Sequence, residues 1–239
     1  MKNLIFITVI ALFAQNSFAQ ESVVSPKNSA GFIISFGASF PMADFGNPDL
    51  EWSYHKNKNL GGGTGIALNI DYVLPLADNG IGLFVGAGFN YNGLKRDYKR
   101  KYQEETRFYA GDITYQNYYS IPVSTGINFT HNFDETFGLF GNLGIVVNFL
   151  KIKDREVNTP SQNITASFDA KTGIGLRLGG GIIFKSKYYF SLNYINVGKT
   201  KIKFTEEIKR EFPNPSNQQY DFTDESKISY LNLTVGIKL

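Results

Sequence analysis

Two histidines and no cysteine limit the chemistry open to this chain. His55 closes the run Asp49, Glu51, Ser53, His55, which holds an acid, a hydroxyl and an imidazole, the residue types of a hydrolytic triad. Brought together, they would serve a hydrolase working at a surface on lipid or peptide. Triads, however, are assembled by geometry from separate elements, and no nucleophile-elbow motif accompanies this run. The expectation is a protein that is not an enzyme, with a surface hydrolase acting near His55 as one alternative. His131 sits in a different, short connection, so the two imidazoles cannot share a metal. Without Cys there are no thiolate ligands, disulfides or cysteine nucleophiles. Neither a cofactor nor a metal site is expected.

The segment 93–116 interleaves Lys95, Arg96, Lys99, Arg100, Lys101 and Arg107 with Tyr98, Tyr102, Phe108 and Tyr109. Cations beside aromatic rings suit nucleic acid. Here Asp97, Glu104, Glu105 and Asp112 offset much of that charge, and the whole chain carries a formal charge of only +3, so nucleic acid is not an expected partner. The six cations also fit the phosphates of lipopolysaccharide at a membrane surface, and the segment equally fits a solvated extension of two strands. Gly61–Gly63 and Gly179–Gly181 look like phosphate loops in composition alone, since neither leads into Lys-Ser/Thr or a helix.

The elements that position these residues have a period of two. In 65–74, Ile66, Leu68, Ile70, Tyr72 and Leu74 alternate with Gly65, Ala67, Asn69, Asp71 and Val73. The segments 81–91 and 231–239 alternate in the same way, and Gly interrupts nearly every helical window. Eight strands are expected, at about 31–40, 61–74, 80–92, 117–130, 136–150, 172–184, 188–199 and 228–239. Long charged connections (41–60, 93–116, 151–171, 200–227) alternate with short turns (75–79, 131–135, 185–187).

Charge placement decides which way this sheet faces. Of 24 basic and 21 acidic residues, only Asp71, Arg177 and Lys238 fall clearly inside strands, all on the polar parity. That face is otherwise mostly Gly, Asn and Ser, while the other is Ile, Leu, Val, Phe and Tyr. A soluble barrel of lipocalin type would have to expose the Gly/Asn/Ser face, which lacks the charge that soluble surfaces carry. Apolar outside and small polar inside fits a closed barrel in lipid, where every backbone group must be paired internally. Aromatics near strand ends (Tyr72, Tyr91, Tyr118, Tyr119, Phe129, Phe133, Phe149, Tyr188, Tyr189, Tyr230) fit interfacial girdles. The three strand charges then point into the lumen as a structural cluster centred on Asp71, with Lys238 the nearer partner and Arg177 reaching down from mid-membrane. Pro122 marks a kink in its strand.

Lys2, the eleven apolar residues Leu4–Ala14 and small Ser17 and Ala19 read as a secretory signal cut before Gln20. The expected organisation is a signal peptide at 1–19, a short periplasmic lead at 20–30, and an eight-stranded antiparallel up-and-down transmembrane β-barrel at 31–239. Location in the outer membrane follows from export plus strands that face lipid.

Tyr119-Ser120-Ile121-Pro122-Val123 followed by STGINF, with the strand LNIDYVLPL and the terminal LNLTVGIKL, resembles the PorT-like outer-membrane β-barrel family over roughly 31–239. The resemblance implies an outer-membrane barrel with periplasmic termini, often of eight strands. The name-giving type supports secretion of surface proteins, a role that no residue here carries over. The expected function is structural, adhesive or accessory work through the long surface loops, with an unnamed surface or periplasmic protein as partner besides membrane lipid and lipopolysaccharide. A narrow channel or secretion-accessory barrel is the other alternative.

Overall fold

The computed structural model describes residues 29–49, 59–106, 111–211 and 215–239. The expected signal peptide, most of the 20–30 lead, and Glu51, Ser53, His55 and Arg107 lie outside the described residues.

The strands are β1 (Gly31–Met42), β2 (Gly62–Pro75), β3 (Ile81–Leu94), β4 (Asp112–Thr114), β5 (Tyr118–Asn132), β6 (Phe137–Ile152), β7 (Arg155–Asn158), β8 (Gln162–Phe168), β9 (Lys171–Phe184), β10 (Tyr188–Arg210) and β11 (Ser216–Lys238). Eight of them close a ring in the order β11-β1-β2-β3-β5-β6-β9-β10, with β10 pairing back onto β11. Every pair is antiparallel. Closure leaves no edge within the wall, which is the condition for strands in lipid.

Side chains follow the expected parity. Each wall strand presents apolar residues outward, and Phe36, Ile70, Val85, Ile127, Ile145, Leu178, Leu192 and Val235, one per strand, are 45–58% exposed. On β9 the outward set runs from Ile174 to Phe184, a span of about 25 Å at ~3.3 Å per residue and a tilt of ~40°. That is the height of a hydrocarbon band. No helix among the described residues is long and apolar enough to cross a membrane. The aromatic girdle is smaller than expected. Tyr118, Tyr189 and Tyr230 lie on the inward parity and are buried in the lumen. Tyr91 and Tyr119 do face out, ring centroids 5.3 Å apart.

Two long connections fold differently from expectation. The segment 93–116 contains a helix, Arg96–Thr106, rather than a strand extension. The stretch 200–227 is mostly strand: β10 and β11 run on as a 23-residue pair from Tyr188↔Ile237 to Arg210↔Ser216. A bulge between Asn196 and Gly198 turns β10 there, with Gly198 at φ +73°. Above the wall β8 pairs with β10, β7 with β8 and β4 with β7, giving a surface sheet in the order β11-β10-β8-β7-β4. Pro122 keeps the register on both sides, yet its pairing with β3 is interrupted between Val123 and Ser120 while Pro122↔Asn148 continues on β6. It costs ladder bonds but makes no bulge.

Candidate functional site

The lumen is filled in three layers. At the short-turn end Ile33, Val73, Phe84, Phe140, Ile183 and Tyr189 form an apolar plug. The long-loop end is closed by a second apolar cluster that joins wall residues such as Val146, Ile195 and Tyr230 to Phe45, Leu60, Leu94 and Tyr98 from the loops. Between them lies a polar layer of Asn, Ser, Asp71 and Arg177.

Asp71 and Arg177 meet across this layer. Arg177 Nη1 donates to Asp71 Oδ1 and Nη2 to Asp71 Oδ2, both at 2.7 Å, a bidentate pair with side chains 5% and 11% exposed. Nη1 also donates to Ser124 Oγ at 2.9 Å, while Nε and Nη2 donate to Asn193 Oδ1 at 3.3 and 3.1 Å. The guanidinium lies 5.2 Å from the Phe84 ring centroid. All the guanidinium N–H groups thus have an acceptor, as a buried cation requires. Further up, the Tyr230 hydroxyl donates to Asn148 Oδ1 at 3.0 Å beside Ser120. Asn128 donates to Asn142, and Asn232 to Asn90, at 2.7 and 2.9 Å.

Lys238 is not brought to Asp71. It shares a ladder row with Asp71, but Ile33 of β1 stands between them, and its Nζ donates to the Ser29 carbonyl. Among the described residues no group of three His, Cys, Asp or Glu could hold a metal. His131 lies in β5 against the Phe133 ring, 4.8 Å away, and Asp49 is bound by Lys101 Nζ at 2.6 Å.

Lys95, Lys99 and Lys101 of the basic segment contact other loop residues at the mouth, while Arg96 and Arg100 are exposed. Lys95 Nζ donates to the Gly46 carbonyl, Lys99 lies 5.1 Å from the Tyr115 ring, and Arg100 contacts Asp97 at 3.2 Å. Tyr98 and Tyr102 of the helix are buried beneath, with Arg155 stacked 4.8 Å over the Tyr102 ring. Burial pushes the Tyr102 hydroxyl above its ordinary pKa, opposed by Arg155 and reinforced by Glu206. The sequence signal for this cap was Tyr98 and Tyr102 at four-residue spacing, one face of a helix.

No protein-family model and no curated protein matches the chain. Among solved structures it is similar to OprG, an outer membrane protein from Pseudomonas aeruginosa, at 13% identity, 89% of this chain, 97% of that chain and a TM-score of 0.49. It is also similar to a major outer membrane protein from Thermus thermophilus, at 15% identity over 89% and 100% of the two chains and a TM-score of 0.43. A third is Ail, the attachment invasion locus protein of Yersinia pestis, at 14% identity over 90% and 100% and a TM-score of 0.41. At such values the assignment stands on this chain's own ring closure and apolar belt. It is an integral β-barrel of the outer-membrane type.

Proposed function

We propose that this chain is a non-enzymatic barrel of the outer membrane whose task, structural, adhesive or accessory, is done by what it holds above the bilayer. The observation that carries this reading is the filled lumen. Apolar clusters close both ends, and an ion pair whose guanidinium N–H groups are all engaged lies between them. An eight-stranded wall encloses just enough space for its own side chains. Among the described residues, what lies outside the wall is the surface sheet and its helical cap. Because Lys95, Lys99 and Lys101 are engaged within the mouth, the proposed contacts to lipopolysaccharide phosphates fall on Arg96, Arg100 and Arg107.

The purified barrel in planar bilayers is expected to give no stepwise conductance. Discrete ion-conducting openings in the wild-type protein would overturn the reading in favour of a narrow channel. One observation favours that second reading. Asn69 Nδ2, Asn232 Oδ1 and Thr234 Oγ1 are buried in the polar layer and find no hydrogen-bond partner among the described residues, as sites for internal water would. The resemblance to PorT-like barrels, with its secretion-accessory implication, belongs to the same alternative.

A further inference from the structure

We propose that Lys151 and Lys153, with Tyr91, Tyr119 and Asn117, form a site on the lipid-facing side of the wall for a lipid whose headgroup is a phosphorylated sugar, as in lipopolysaccharide. The inference rests on the outer-membrane reading above and adds to it a headgroup site on the wall, apart from the cap.

The site is built where the apolar belt ends. On the outer face of β3, β5 and β6 the belt finishes at Phe89, Ile121 and Phe149, which are 36–47% exposed. The next row toward the long loops is Tyr91, Tyr119 and Lys151, joined as Tyr91↔Tyr119 and Tyr119↔Lys151. The two tyrosine rings lie 5.3 Å apart, and Tyr119 also meets the Phe89 ring at 6.4 Å. One row further, the Lys153 N–H donates to the Asn117 carbonyl at 2.8 Å. Residues 151–153 run exposed, buried, exposed, with Ile152 turned into the mouth cluster. Both lysines therefore stand on the lipid side. Gly93 completes this upper row, and a β-carbon placed on it would meet only Asn117 Oδ1, 3.7 Å away. The glycine thus leaves a shallow recess above Tyr91 that opens outward.

Neither ammonium is neutralised by a described residue. Lys151 and Lys153 make no ion pair or side-chain hydrogen bond among the described residues, whereas Lys95, Lys101 and Lys171 are each held. Asp154, the nearest acid in sequence, is engaged with β8, where it accepts from Ser167 Oγ at 3.2 Å and from the Phe168 N–H at 3.4 Å. Two flexible cations on one face of a strand, rooted about 7 Å apart, can converge on one phosphate, which lysine binds as a point charge. Tyrosine hydroxyls and the Asn117 amide at the same height supply partners for sugar hydroxyls, and tyrosine suits the boundary because its ring is apolar and its tip wet.

The row beneath selects among anions. A nucleic acid or an acidic peptide has nothing to lay on Phe89, Ile121 and Phe149. A lipid does, since its acyl chains continue down the belt while its phosphate stays at the lysines. The long loops lie at this end of the wall, so the leaflet concerned is the outer one, where the lipid headgroup is a phosphorylated sugar.

The test uses the full-length barrel refolded in zwitterionic micelles, with binding of purified diphosphorylated lipid A followed by native mass spectrometry. Saturable retention is expected, with lipid A stripped of its phosphates retained far less. Lys151→Gln combined with Lys153→Gln should weaken binding about tenfold, the loss of a charged hydrogen bond. Lys151→Arg with Lys153→Arg should keep it, as should Lys185→Gln with Lys187→Gln in the opposite turn. Fast gel mobility of the unheated variants verifies folding. Equal binding by the Lys151/Lys153 glutamine variant, or of dephosphorylated lipid A, would overturn the proposal. So would phosphatidylglycerol held as tightly as lipid A, which assigns an ordinary phospholipid, or displacement of lipid A by millimolar inorganic phosphate, which assigns a free anion. Labelling of Asp154→Cys by an impermeant reagent on intact cells separates the two levels. Labelled cells with no lipid A binding sink this site alone, and protected cells with binding intact sink the surface reading itself.

Discussion

A methyl group on Gly86 would sit 1.8 Å from Asp71 Oδ1 and 3.1 Å from Arg177 Nη1. At this point of β3 the absent side chain is what leaves room for the ion pair, so Gly86→Ala must displace the carboxylate. Removing one charge acts on the same pair without changing its volume. Asp71→Asn leaves Arg177 charged in the lumen and should cost ~3–5 kcal/mol, read as a lower urea midpoint for unfolding from lipid vesicles. Asp78→Asn in the exposed turn should leave the midpoint unchanged. Replacing both partners together, as Asp71→Leu with Arg177→Met, should recover part of the loss, because the costly species is the unpaired charge. Equal midpoints for Asp71→Asn and Asp78→Asn would show that the pair contributes nothing. The parity of Asp71 and Arg177 was legible in the sequence, 106 residues apart though they are. Their meeting was expected as part of a cluster centred on Asp71, but not that Arg177 rather than Lys238 would be the partner.

At the scale of elements, the cap turns an open-ended cylinder into a closed one. Phe45, fully buried, comes from the turn after β1 and stacks edge-on against Tyr118 at 5.1 Å. Tyr118 in turn donates to the Leu60 carbonyl. Both ends of the β1–β2 connection are therefore pinned to the start of β5 through one ring. Phe45→Ala should cost ~3–5 kcal/mol locally and release the helix Arg96–Thr106 from the mouth. Brief trypsin treatment of the folded barrel should cut the variant between Arg96 and Lys101 while the wild type resists. Indifference of the cleavage rate to the substitution would separate Phe45 from the cap. The helix was hidden in a charged, Gly-flanked stretch whose nearest neighbours are strands. Its stability comes from tertiary burial of Tyr98 and Tyr102, which propensity alone does not report.

For the whole molecule, orientation follows from the alternation of connections. The turns near 79 and 135 lie at the end that holds both termini of the wall, and the surface sheet lies at the other. Cysteines placed singly at Asp154 and Lys203 should react with an impermeant thiol reagent on intact cells, and those at Asn79 and Glu135 only after lysis. The reverse pattern would invert the barrel. Protection of all four on intact cells, with reactivity after lysis, would place the whole chain inside the outer membrane.

The sequence by itself determined the sheet's two faces. Alternation at a period of two, with charge confined to connections, is a local property of each strand, and it permits only an apolar exterior around a small polar interior. It also located six of the eight wall strands to within about two residues at each end, because Gly, Pro and charged clusters punctuate them, whereas β10 and β11 run on through the charged stretch expected to be a loop. What the tertiary structure decided was depth. Following paired residues from Tyr188 through Ile237, Ile34, Ile70, Ala87, Val123 and Val147 leads to Ile174, which lies beside β10 just above Asn196. One circuit therefore climbs by about ten residues, the stagger that closing a tilted sheet imposes. Counting from the nearest turn puts Lys238 level with Asp71 and Arg177 well above it. The stagger instead carries Arg177 across the lumen onto Asp71 and leaves Lys238 at the rim. The run of β10 and β11 beyond the end of β1 has the same origin, since only the assembled wall shows where β1 stops and β10 goes on.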